Sequence, residues 1–128
     1  MTLIKKLITI LIVFIIFFAY KTTPSNAIGD VDWILLKENK DGKEWLDLGS
    51  LKKINNNEIS VLTKFFKKPT NENNEGQTSL YVMRINCLKN QFKDTSINGF
   101  PKFNSKWQEP DNDELIEVVI ENACSERG

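Results

Sequence analysis

Fourteen consecutive residues near the start of the chain, Leu7–Tyr20 (LITILIVFIIFFAY), carry no charge and are almost wholly apolar. Such a run is either cleaved off or kept in a bilayer, so it decides how much polypeptide is left to build a soluble fold. Met1–Lys6 is a short basic start, and Lys21-Thr22-Thr23-Pro24-Ser25-Asn26-Ala27 follows the run. Pro24 stops any helix there, and Ser25 and Ala27 suit the two small positions of a signal-peptidase site. Residues 1–27 therefore read as a signal peptide, with cleavage expected between Ala27 and Ile28. The alternative is an uncleaved helix that holds the chain at the membrane. About 20 apolar residues are needed to span the hydrocarbon core, and this run is several short. No cysteine stands at the cleavage site, so a lipid anchor is not expected. The product is expected to be exported, to the periplasm or the extracellular space.

Residues 28–128 then form a single domain of 101 residues, with 14 Lys or Arg against 17 Asp or Glu, net −3. That size excludes a dinucleotide-binding unit with a substrate domain, and an eightfold α/β barrel. The acidic balance argues against nucleic acid as a partner. Cys87 and Cys124 are the only thiols. In an exported domain this small an even pair reads as a disulfide. Two sulfurs without any histidine cannot complete a tetrahedral metal site, and no CxxC offers redox chemistry. No metal and no cofactor are expected.

Along the domain the pattern is mostly that of strands. Asp32–Lys37 (DWILLK) is apolar on both parities, which suits a central strand. Asp41-Gly42 is a tight-turn signal, and Lys43–Leu48 resumes as the second arm of a hairpin. Asp47-Leu48-Gly49-Ser50 then bends the chain, with side-chain oxygens placed to bond backbone N–H groups. Glu58–Lys68 alternates, with Ile59, Val61, Thr63 and Phe65 on one face. After the polar loop Pro69–Gly76, Gln77–Leu88 puts Ser79, Tyr81, Met83, Ile85 and Cys87 on one face. Gln91–Ile97 is a more polar strand, turned by Asn98-Gly99. Phe100–Trp107 reads as a loop or short edge strand, because Pro101 cannot donate a ladder hydrogen bond. Asp111 with Glu114 suggests a capping box, and Ile116, Val119, Ile120 and Ala123 repeat at helical spacing beside Cys124. β-Branched residues there leave a strand as the rival. The fold class expected is α+β, mainly β: an antiparallel, meander-like sheet of five or six strands with a carboxy-terminal helix on one face, held by one disulfide.

In this order and spacing the residues resemble the surface-adhesin protein E family of small exported bacterial proteins, from about Asp32 to Cys124. The carriers are Trp33, the stretch Trp45-Leu46-Asp47-Leu48-Gly49-Ser50-Leu51, Ile59-x-Val61, Cys87, Trp107-x-x-Pro110 and Cys124. The family's Pro-Gly-Ser before the helix is here Pro110-Asp111-Asn112-Asp113. The resemblance implies a sheet whose concave side holds the terminal helix through the disulfide, and adhesion to host extracellular-matrix proteins.

Catalytic constellations are poorly supplied. Without histidine no triad forms, no serine sits in a Gly-flanked elbow, and nothing marks a carboxyl of raised pKa in an apolar pocket. No catalytic residue is assigned, and an enzyme is not expected. Trp33, Trp45, Tyr81, Phe92 and Trp107 read as core, the alternative being ligand stacking. Lys64, Lys67 and Lys68, with Lys52 and Lys53 nearby, form the one basic cluster. It reads either as edge-strand protection or as a docking patch for an acidic protein or polysaccharide. The expected function is adhesin-like recognition of such a macromolecule by a monomer at the cell envelope. The alternative is an envelope component that meets the membrane only through its uncleaved amino-terminal segment.

Overall fold

A computed structural model describes residues 1–19 and 30–126 of the chain. The expected cleavage point at Ala27 and Ile28 lies outside the described residues. Helix α1 (Thr2–Ala19) carries Lys5 and Lys6, and among the described residues no helix is long and apolar enough to cross a membrane. Seven strands follow: β1 (Trp33–Glu38), β2 (Gly42–Asp47), β3 (Lys52–Lys53), β4 (Glu58–Lys67), β5 (Gln77–Asn86), β6 (Gln91–Ile97) and β7 (Phe100–Pro101). Helix α2 (Glu114–Ser125) closes the domain. All pairings are antiparallel, in the order β1-β2-β4-β5-β6-β7, with β3 beside β4. β7 falls within the short edge strand read at Phe100–Trp107, and the one strand beyond the six is β3, a two-residue pairing that a periodicity of two cannot register.

Local chemistry explains the turns. Asn39 Oδ1 accepts from the N–H groups of Asp41 and Gly42 at 2.9 and 3.1 Å, so the first hairpin turns on an asparagine side chain. Gly42 is needed for room: a Cβ there would collide with the Phe66 carbonyl oxygen and the Phe65 ring. Asn98 and Gly99, at φ 50° and 82°, form the two-residue turn between β6 and β7. Asp47 Oδ1 accepts from Asp32 N and Gly49 N at 2.8 and 3.0 Å. Ser50 Oγ donates to Asp47 O and accepts from Leu62 N, which fastens this bend onto β4.

The sheet's inner face is built by alternation. Leu46, Val61, Met83, Ile85 and Phe92 point to the same side and meet Val119, Ile120 and Ala123 of α2. The disulfide Cys87–Cys124 ties the last turn of α2 to the end of β5. Asp113 caps α2, accepting from Leu115 N and Ile116 N. The cap was expected at Asp111, two residues earlier. Asp111 and Asn112 instead take left-handed φ values of 47° and 63°, which delays the helix until Asp113. Leu115 joins the buried stripe, while Ile116 is half-buried.

Two other expectations need correction. β1 is the rim of the sheet, not a central strand. It is apolar on both parities because Ile34 and Leu36 pack on the core while Trp33 and Leu35 belong to the opposite face. The lysines of β4 cannot guard an edge, since β4 lies between β2 and β5. The rims are blunted in other ways. A register shift between Leu35 and Lys37 interrupts β1, and β7 is two residues long and ends on Pro101.

Candidate functional site

The outer face, turned away from α2, is where the tryptophan rings gather. Lys64 of β4 pairs with Trp45 of β2 and Leu80 of β5, and Trp45 pairs in turn with Leu35 of β1. Lys64 Nζ sits 4.5 Å from the Trp33 ring centroid and 4.7 Å from that of Trp45. Its charge is thereby held over two π-faces. Leu35 and Leu80 are 54% and 39% exposed, and Leu62, Phe66 and Val82 are half-buried around them. Further along, Lys93 Nζ lies 4.7 Å from the Trp107 centroid.

The acids on this face are already matched. Glu38 meets Lys68 at 2.8 Å and Lys43 at 3.6 Å; hydrogen bonding from Lys68 holds its carboxyl below the usual range. Glu58 meets Arg84, whose hydrogen bond does the same. The cations stacked on tryptophan, Lys64 and Lys93, are in no salt bridge among the described residues.

The expected lysine trio therefore separates. Lys64 stands at the centre of the outer face, Lys67 is exposed at the opposite parity, and Lys68 is engaged by Glu38 and donates to Asn39 O. Lys52 and Lys53 pair with the other end of β4. The aromatics divide too. Phe92 is buried and Tyr81 packs against the core, but Trp33, Trp45 and Trp107 are only half-buried. The core assignment fails for these three because α2 packs on the opposite face of the sheet and, among the described residues, leaves their side only partly covered.

The inner face holds a second feature. α2, with 12 residues, spans about 18 Å, whereas β4 and β5, with 10 residues each, run about 33 Å. Where the helix ends, the uncovered sheet forms an open cleft of about 1020 Å³. Met83, Phe92 and Leu115 give it apolar walls, and Glu44, Thr63, Tyr81 and Asp94 line it from the strands. Glu44 is 4% exposed, and burial pushes its carboxyl up to about 8 against the pull of the Thr63 hydroxyl. The neighbouring charges of Asp113 and Asp94 add to the rise. Burial likewise raises Asp94, with Lys102 opposing it.

This is the raised carboxyl that nothing in the sequence had marked. The available signal was parity: Glu44 precedes Leu46 by two residues and so shares its inward face. Trp107 is not among the residues lining the cleft. Among the described residues no group of His, Cys, Asp or Glu is arranged to hold a metal ion.

The molecule is thus a small antiparallel sheet with a disulfide-tethered terminal helix on one face and stacked lysines and tryptophans on the other. Residues 34–128 match the Surface adhesin-E family, and the chain belongs to that family. Neither the curated proteins nor the solved structures yield a match.

Proposed function

We propose that this surface adhesin-like domain is non-catalytic and binds a protein with an acidic surface through its outer sheet face. The observation that carries the proposal is Lys64 suspended over Trp33 and Trp45 between the exposed Leu35 and Leu80. Aromatic and aliphatic groups around a part-buried cation have the make-up of an interface centre, where a few residues supply most of the affinity. The aliphatic side chains favour a protein over a polysaccharide, since they offer sugar hydroxyls no hydrogen bond. Export with cleavage after Ala27 belongs to the same proposal.

The test is surface plasmon resonance against a panel of immobilised extracellular-matrix proteins, with dextran sulfate as the polyanionic glycan. The wild type is expected to bind a protein of the panel, more weakly as salt rises. Trp45→Ala combined with Leu80→Asp should weaken that binding by about tenfold or more, while Lys52→Ala with Lys53→Ala should leave it unchanged. Equal binding by the Trp45/Leu80 variant would overturn the surface assignment. Binding to dextran sulfate alone would overturn the protein partner.

A further inference from the structure

We infer that the cleft at Glu44 is a second binding site, one that takes an aliphatic cation: an ammonium or guanidinium on a hydrocarbon stem. The inference does not depend on the outer face. The cleft, at about 1020 Å³, has room for a long side chain or a small amine. Its walls of Met83, Phe92 and Leu115 suit a methylene stem, and Glu44 and Asp94 supply carboxyls for the charged head. Buried carboxylates are normally paired with a cation. Among the described residues neither Glu44 nor Asp94 takes part in a salt bridge, although Glu44 is 4% exposed. The chain thus buries Glu44 in an apolar-walled cleft with the Thr63 hydroxyl as its partner and, among the described residues, no salt bridge.

The charges facing Glu44 are of both signs with acids in the majority, and β1 contributes Lys37, its register partner. The turn before β2 contributes Lys40 and Asp41, β5 Tyr81, and β6 Asp94. The segment leading into α2 contributes Lys102, Asp111, Asp113 and Glu114. Glu114 is paired with Lys37 at 3.0 Å, and Asp113 Oδ1 is occupied by the helix cap. With Glu44 carrying its proton at neutral pH, entry of the cation releases that proton and leaves a carboxylate–cation pair. Protein and ligand together lose one H⁺ and no other bond changes. Binding therefore strengthens with pH.

The experiment is a titration of the full chain, followed by amide NMR shifts and by calorimetry in two buffers of different ionisation enthalpy. The probes are Nα-acetyl-arginine amide, the uncharged isostere Nα-acetyl-citrulline amide, and cadaverine. Capped arginine should shift amides of β2, β6 and the start of α2, and release a proton. Its affinity should rise by about tenfold per pH unit between pH 6 and 7.5. Citrulline should bind at least tenfold more weakly. Binding of cadaverine as tight as that of capped arginine assigns the site to free amines; weaker binding assigns it to polypeptide side chains.

Glu44→Gln, which mimics the protonated group, should abolish proton release and the pH dependence while melting like the wild type at pH 6. Should that variant fail to fold, Asp94→Asn and the wild-type pH profile serve the same purpose. Equal binding of citrulline, pH-independent binding of arginine, or no shift in the cleft at tens of millimolar ligand would each overturn the inference.

Discussion

Glu44 and Asp47, two acids of one short strand, are both almost wholly shielded from water and meet opposite treatment. Asp47 is supplied with donors, from Asp32 N and Gly49 N, while Oδ2 is buried with no hydrogen-bond partner. Asp47→Ala should destabilise the domain by about 2 kcal/mol or more, because two N–H groups at the bend lose their acceptor. Urea unfolding of the variant checks this. Glu44 shows its environment through pH. In the unfolded chain its carboxyl titrates near 4.5, and in the fold at about 8. Between those values the native state holds a proton that the unfolded state has released. Stability is therefore greatest at the acid end of this window and falls as pH rises through it, by at most about 1.4 kcal/mol per unit. Asp94, raised by burial, acts in the same direction. Urea midpoints measured from pH 5 to 9 should show the decline in the wild type and a shallower one in Glu44→Gln.

For whole elements, the helix and the long strands were legible because their patterns repeat. Ile59, Val61 and Thr63 on β4, and Met83 and Ile85 on β5, occupy the inward side that alternation assigned. Val119, Ile120 and Ala123 likewise lie on the buried stripe of α2. What alternation cannot convey is a strand's neighbours. DWILLK reads the same whether a second strand or a tryptophan-rich open face lies beside it, so β1 was misplaced to the centre. The cap at Asp113 was hidden by two residues in left-handed backbone, a conformation that Asp and Asn tolerate without announcing it. Asp113→Ala should cost about 1 kcal/mol, read as a lowered melting temperature. The disulfide weighs more. A closed loop of this length, 37 residues from Cys87 to Cys124, stabilises by about 4 kcal/mol in the chain-entropy model. Dithiothreitol or Cys124→Ser should therefore lower the melting temperature markedly and speed amide exchange in α2 first; an unchanged midpoint would contradict the tether's role.

Across the whole molecule, the two faces of one sheet carry opposite chemistry. The outer is aromatic with stacked lysines, and the inner ends in a cleft of carboxyls. Composition, nearly balanced in sign, conceals this division. Parity along each strand together with pairing register, Lys64 against Trp45 and Glu44 against Phe65, sorts the charges by side. Export makes its own prediction. Amino-terminal sequencing of protein recovered from the native envelope should begin at Ile28, whereas Met1 or Thr2 would favour the anchored form. The blunted rims bear on how such a domain can be crowded. A pleated layer with an open margin is a template for its neighbours, and many copies packed side by side would zip into fibrils. Here one margin is kinked between Leu35 and Lys37, and the other stops at a proline after two residues. Margins interrupted in this way give a neighbouring copy little continuous backbone to pair with.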